Sequence, residues 1–329
     1  MKALTYDDIQ LVPEYSNIES RQNVSLKSTL TTNYLINIPI IAAPMPTVCG
    51  YEMALKLAEL GAVGCVHRFM TIEEQIDIVY KLHYFQHAPI TVAVGATGDY
   101  LERAKGLIDA GADIILIDVA HGHHENVKKA IHEIKKISEC DVIAGNIATV
   151  KAAQDLQDWG CDALRVGIGG GSLCTTRIKT GFGIPNVTCI EQIAKNVSIP
   201  IIADGGIRTT GDMAKALAVG ASTIMLGSML AGTEESPGML INKPNGLYKK
   251  YAGAASFETK LTHGQAIRNI EGESTIIPYK GSVESVLNEI TDSLKSALSY
   301  AGAKDIKSFK PEYVQVTQAG ITEAKPHLI

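Results

Sequence analysis

From about Ile38 onward, short apolar runs alternate along the chain with longer segments in which apolar residues recur every three or four positions. That rhythm is the signature of βα units built around a parallel sheet. The apolar runs predict strands at Ile38 to Ala43, Ala62 to Val66, Ile90 to Val94, Ile114 to Asp118, Asp141 to Gly145, Ala163 to Val166, Ile201 to Asp204 and Thr223 to Leu226. Periodic segments such as Glu52 to Leu60, Tyr100 to Ala110, Glu125 to Ile137 and Gly211 to Val219 predict helices between them. Eight strands in this order predict an α/β fold of the (β/α)8 TIM-barrel type, with a doubly wound open sheet as the competing topology. The strand ends favour closure: Gly95, Asp118, Gly145 with Asn146, Gly167, Asp204 and Gly227 each open a small or polar turn. In a barrel those ends share one face, where the βα loops assemble an active site.

Residues 1–37 and about 231–329 fall outside that pattern. The second region is polar, glycine-rich and weakly periodic through Gly232-Thr233-Glu234-Glu235-Ser236-Pro237-Gly238 and as far as Glu271-Gly272-Glu273. Long loops of this kind are usually functional, so about 231–282 reads as an active-site loop and mobile flap after the eighth strand. An amphipathic helix over Val283 to Ser299 then returns to the barrel, and 1–329 reads as a single domain.

A formal net charge of -5 and the absence of a long Lys/Arg run exclude an electrostatic case for nucleic-acid binding. No apolar stretch approaches the roughly 18 uncharged residues of a membrane span, and the first residues lack a signal peptide's apolar region. The expectation is a soluble, cytoplasmic protein with no membrane partner. Cys49, Cys65, Cys140, Cys161, Cys174 and Cys189 show no CxxC pair or metal-ligand spacing, so they read as reduced thiols.

The candidate chemistry centres on Gly167-Ile168-Gly169-Gly170-Gly171-Ser172-Leu173-Cys174-Thr175-Thr176. Glycines allow a backbone to adopt φ > 0 and approach a ligand closely, so this loop can present the Cys174 thiol as a nucleophile with Thr176 as a proton relay. A buried cysteine after an ordinary turn is the alternative. Asp204-Gly205-Gly206-Ile207-Arg208 after the seventh strand and Leu226-Gly227-Ser228-Met229 after the eighth stand where barrels commonly bind phosphate. Asp204 would be repelled by a phosphate, which makes it an acceptor for neutral ribose hydroxyls. Asp118, at the tip of the fourth strand, suits a second ligand such as a cofactor. The His121-Gly122-His123-His124 run beside it reads as a polar loop rather than a metal site. Glu271 and Arg268 stand in the flap, where charged residues are ordinarily just solvated.

These residues carry a resemblance. Leu4-Thr5-Tyr6-Asp7-Asp8-Ile9-Gln10-Leu11-Val12-Pro13, the cysteine loop, Ala203 to Arg208, Leu226 to Leu230, Tyr279-Lys280-Gly281 and Tyr300-Ala301-Gly302-Ala303 are similar, in order, to motifs of the IMP dehydrogenase and GMP reductase family. The resemblance implies a (β/α)8 barrel, often a homotetramer, in which the cysteine attacks C2 of a purine monophosphate. Cys174, Thr176 and Glu271 would be catalytic. Ser172, Asp204, Gly205, Gly206, Gly227, Ser228, Gly253, Ala254, Ala255, Ser256, Arg268 and Glu271 would hold the nucleotide. Ser20, Arg21, Arg68, Asp118, Val119, Ala120, Ile168 and Gly169 would face a nicotinamide cofactor. Backbone carbonyls of Gly169, Gly171 and Cys174 would hold a monovalent cation such as K+.

The reductase form is expected for two reasons. Arg68-Phe69-Met70-Thr71 runs straight into Ile72-Glu73-Glu74-Gln75, without the regulatory CBS modules usual in dehydrogenases. A dehydrogenase must also hydrolyse its covalent intermediate with an Arg-Tyr pair in the flap, and residues 253–271 hold no tyrosine. Glu19-Ser20-Arg21, Val66-His67-Arg68-Phe69, Asp118 to His123 and Lys179-Thr180-Gly181-Phe182-Gly183 resemble reductase forms, and Ser20 with Arg21 would contact the 2′-phosphate of NADPH. The expected reaction is the NADPH-dependent conversion of GMP to IMP and ammonia. The alternatives are NAD-dependent oxidation of IMP to XMP, an FMN-dependent barrel oxidoreductase, and a silent nucleotide-binding regulator. Two departures stand out: Gly170 replaces the proline usual in the cation loop, and Pro44 with Pro46 alters the segment before Thr47-Val48.

Overall fold

A computed structural model describes residues 2–85, 87–262 and 270–323. Eight parallel strands close into a barrel: β1 (Ile40–Ala42), β2 (Val63–Val66), β3 (Thr91–Val94), β4 (Ile114–Asp118), β5 (Asp141–Ile147), β6 (Ala163–Val166), β7 (Ile201–Asp204) and β8 (Thr223–Leu226). Each pairs with its neighbours in sequence, and β8 returns to β1 through Ile224, Met225 and Leu226 against Ile40, Ile41 and Ala42. Closure decides between barrel and open sheet. Eight helices pack outside: α1 (Tyr51–Leu60), α2 (Ile72–Phe85), α3 (Tyr100–Asp109), α4 (Glu125–Ile137), α5 (Val150–Asp158), α6 (Asn186–Ala194), α7 (Thr210–Ala218) and α8 (Val283–Tyr300).

The strands are buried on both faces, which is why they read as continuous apolar runs rather than alternating ones. Their period of two survives in the packing. In β4, Ile114 and Leu116 join the cluster inside the barrel, while Ile115 and Ile117 join the larger one beneath the helices. Leu30 and Ile36, from a short hairpin pairing Ser28–Thr29 with Leu35–Ile36, belong to the interior cluster and seal it at the N-terminal ends of the strands. The same hairpin segment is tied down by Thr31 Oγ1 on Asp141 (2.5 Å) and Asn33 Nδ2 on Asp141 (2.7 Å).

The region after β8 differs from the weakly periodic excursion expected of it. It holds an antiparallel sheet of β9 (Ile241–Lys243), β10 (Gly246–Ala252) and β11 (Ser274–Pro278). These strands are half-exposed and short, so they lack the apolar density of the barrel strands. Strand β5 also runs two residues beyond its predicted end. An irregularity in its register between Gly145 and Ile147 falls on Asn146, the kind of local bulge that re-aims a side chain.

Candidate active site

Strand β6 ends at Val166, and the chain turns through Gly167 at φ 136°, where a Cβ would lie 2.0 Å from the Asp204 carbonyl oxygen. Only glycine fits there. The loop closes when the Cys174 N–H donates to the Gly171 carbonyl at 3.0 Å, and a short helix, Thr176–Thr180, follows. The Cys174 thiol then donates to Thr176 Oγ1 at 3.1 Å, and that hydroxyl donates to Glu271 Oε2 at 2.7 Å. Glu271 reaches this position because the chain around it is stitched to the cysteine loop. Thr175 N donates to the Glu271 carbonyl (3.0 Å), Glu273 N to that of Leu173 (2.9 Å), and Glu271 N to that of Ala255 (3.2 Å). A thiol, a hydroxyl and a carboxylate in one line form a path along which a proton can leave sulfur.

The other cysteines lack such a path. Cys49, Cys65, Cys161 and Cys189 are buried, and burial pushes their thiol pKa values up, to about 12 for Cys189. Burial also raises Cys140.

The two phosphate-type turns lie against this loop. Gly205 and Gly206 take φ values of 89° and 74°, and a Cβ on Gly205 would sit 2.9 Å from the Gly170 backbone. At the unusual Gly170 a Cβ would meet Asn186 Nδ2 at 3.1 Å and the Gly205 carbonyl carbon at 3.2 Å, a tight fit that requires these neighbours to give by a few tenths of an ångström. After β8, Gly227 faces Tyr251, whose Oη would be 3.1 Å from a Cβ there and shares a 3.2 Å hydrogen bond with Ser172 Oγ. Burial raises the Tyr251 pKa and keeps it a neutral donor. Lys280 Nζ donates to the Ser228 (2.6 Å) and Met229 (3.1 Å) carbonyls and fixes the turn. Gly253 donates to the Glu273 carbonyl, Ala254 and Ala255 are half-buried beside it, and the Ser256 hydroxyl is spent on Thr259.

Arg165, within β6, joins the two carboxylates at the strand tips. Its Nη1 lies 2.5 Å from Asp118 Oδ1 and its Nε 2.9 Å from Asp204 Oδ2, which also accepts from Asn146 Nδ2 at 2.7 Å. Asp204 Oδ1 has no hydrogen-bond partner among the described residues. Arg68 Nε faces Asp118 at 3.7 Å, buried and without a hydrogen bond. Beside it, Arg68, Phe69, Gly95, Thr97, Asp99 and Val119 line a cavity of about 510 Å³. A cationic side chain, a carboxylate and a cavity of that size fit part of a dinucleotide cofactor.

Other predicted residues lie apart. Ser20 caps its own short helical turn, and the Arg21 guanidinium lies 6.0 Å from the Tyr300 ring centroid. Tyr300 ends α8, so both residues belong to the barrel face opposite Cys174. His123 pairs with Asp155 (2.9 Å), His124 Nδ1 accepts from Asn126 N to cap α4, and His121 is exposed. Arg177 donates to the Ile168 (3.2 Å) and Ile184 (3.1 Å) carbonyls, which sets a positive charge against the loop expected to hold a cation. Arg268 lies outside the described residues.

Tyr251, Asn146 and Arg165 are the site residues that pattern reasoning passed over. Arg165 carried a signal, being the one charged residue in an otherwise apolar run. Asn146 carried only its place at a predicted strand end, and Tyr251, on a strand the sequence pattern does not predict, carried no signal.

Fold and site together give a (β/α)8 barrel in which a cysteine, hydrogen-bonded through a threonine to a glutamate, lies beside two glycine turns. The chain belongs to the IMP dehydrogenase / GMP reductase family of oxidoreductases, whose domain model matches residues 3–327. It is 39% identical to a GMP reductase of Lactococcus lactis subsp. cremoris over 94% of each chain. It is also 32% identical to an inosine-5′-monophosphate dehydrogenase of Nitrosopumilus maritimus, covering 99% of this chain and 98% of that protein. A GMP reductase from Trypanosoma brucei, solved with guanosine 5′-monophosphate, superposes with a TM-score of 0.94 at 27% identity, over 100% of this chain and 98% of that one.

Proposed function

We propose that the protein is a GMP reductase that converts GMP to IMP and ammonia with NADPH. The observation that carries this reading is the Cys174–Thr176–Glu271 line in a chain whose residues 253–271 contain no tyrosine to activate water. The nucleotide phosphate sits on the amides of Gly205, Gly206, Gly227 and Ser228, with Ser172 and Tyr251 as hydroxyl donors. Asp204 Oδ1 accepts from the ribose diol. Cys174 loses its proton through Thr176 to Glu271 and attacks C2 of the purine. Glu271 returns the proton through Thr176 to the departing 2-amino group, which leaves as ammonia, and a C2 thioimidate remains on Cys174. A reduced nicotinamide bound there would supply the hydride at C2, and Cys174 would then leave as thiolate, releasing IMP.

Asp118, Val119, Ala120, Ile168 and Gly169, with Arg68, orient the cofactor in this reading. Ser20 and Arg21 can contact it only from a neighbouring protomer, since within one chain they lie on the far face. A homotetramer is part of the proposal, supported by the exposed side chains of Ile178, Phe182, Met239 and Phe257 around the site. A monovalent cation would use the carbonyls of Gly169, Gly171 and Cys174, and no proton step depends on it. Among the described residues no helix is long and apolar enough to cross a membrane.

The dehydrogenase relatives favour a second reading, oxidation of IMP to XMP with NAD. A side-by-side assay separates the two. GMP with NADPH is expected to consume NADPH and release one ammonia per turnover. Reduction of NAD by IMP, with GMP inert, would favour the second reading.

A further inference from the structure

We propose that Arg165 is a positioning residue that couples the nucleotide subsite to the cofactor subsite, an inference that rests on the functional reading above. Its place is costly. The other residues of β6 are apolar, the Arg165 side chain is only 10% exposed, and burying a charge costs several kcal/mol unless its partners are well placed. Its partners are two carboxylates, one from the adjacent β7 and one from β4, beyond β5. Asp118 ends β4 and Asp204 ends β7, and one guanidinium holds both, at 2.5 Å through Nη1 and at 2.9 Å through Nε.

The remaining bonds are unequal, which gives the clamp a direction. Asp204 Oδ2 is fixed twice, by Arg165 and by Asn146, and its Oδ1 is free to accept from a ribose hydroxyl. Asp118 has only the distant Arg68 as its second cation. A guanidinium is planar and rigid, so fixing Nε fixes Nη1 as well. A ribose hydroxyl drawn to Asp204 Oδ1 therefore bears, through the shared guanidinium, on the position of the carboxylate facing the cofactor. The linkage is reciprocal: each ligand tightens the other by the same factor.

The test uses the Cys174→Ser protein, in which no covalent adduct forms. GMP is titrated calorimetrically without and with saturating NADP+, and NADP+ without and with GMP. About fivefold or greater tightening, equal in both directions, is expected. Adding Arg165→Gln should bring that factor to one, and Arg165→Lys, which fills similar space but keeps the charge, should restore part of it. A residue that served only packing would lower both affinities in both variants and leave the factor intact. Coupling that persists in Arg165→Gln, or is absent from the Cys174→Ser parent, overturns the clamp. If the Gln variant does not fold, an undiminished factor in Arg165→Lys overturns it equally. Failure of GMP to bind the parent at all instead overturns the functional reading, and the clamp with it.

Discussion

The relay works through three side chains, and each has a separable consequence. Thr176 stands between sulfur and carboxylate, 3.1 Å from one and 2.7 Å from the other. Thr176→Val keeps the shape and removes the bridge. Its kcat should fall by about 10²–10⁴, the usual worth of a positioned acid or base, with little change in the KM for GMP. Glu271→Gln should fall similarly, and the double variant no further than the worse single one, because the two act as one path. Steady-state kinetics of the three variants decide this, and multiplied losses would show that the residues act independently. The glycine run before Cys174 reads equally well as an ordinary turn before a structural cysteine; only the two glycine turns after β7 and β8 and the family resemblance single out Cys174 and Thr176, which lie 3.1 Å apart. Arg165 was harder to read: a strand's sequence states its burial but not which carboxylates, 39 and 47 residues away, will meet it.

At the scale of elements, the strand pattern was read closely where burial is complete. The ranges of β4, β6, β7 and β8 agree with expectation because their residues pack on both faces, so apolarity marks their ends. The sheet after β8 was missed although Pro244-Asn245 form a two-residue turn between β9 and β10, with Lys243 opposite Gly246. The turns at the other strand ends carry the binding. Gly205→Ala forces a Cβ onto a residue at φ 89° and into the Gly170 backbone 2.9 Å away. That strain, about 1–3 kcal/mol, should weaken GMP binding by roughly tenfold while Cys174 keeps its reactivity toward a small alkylating reagent. Unchanged GMP affinity in a binding titration would remove the seventh-strand turn from the nucleotide site.

The barrel as a whole is closed below by the Leu30 hairpin and opened above by glycine, so stability and chemistry are segregated to opposite faces. Tyr34 belongs to the lower face. Burial first, and then the Asp113 carboxylate to which it donates, raise its pKa from 10.0 to about 12. The unfolded chain therefore loses this proton first, so the contribution of Tyr34 is present below pH 10 and is lost as pH rises toward 12. Tyr34→Phe should show a smaller fall in melting temperature between about pH 10 and 12 than the parent; equal falls would show that Tyr34 does not contribute. On the upper face, the proposed reductase chemistry has hydride rather than water resolve the adduct on Cys174. The most direct measurement is to turn over GMP with NADPH deuterated at the transferred position and record the nucleotide product by proton NMR and mass spectrometry. IMP with one deuterium at C2 and an equivalent of ammonia are expected of the reductase; XMP, or IMP with protium at C2, would overturn it.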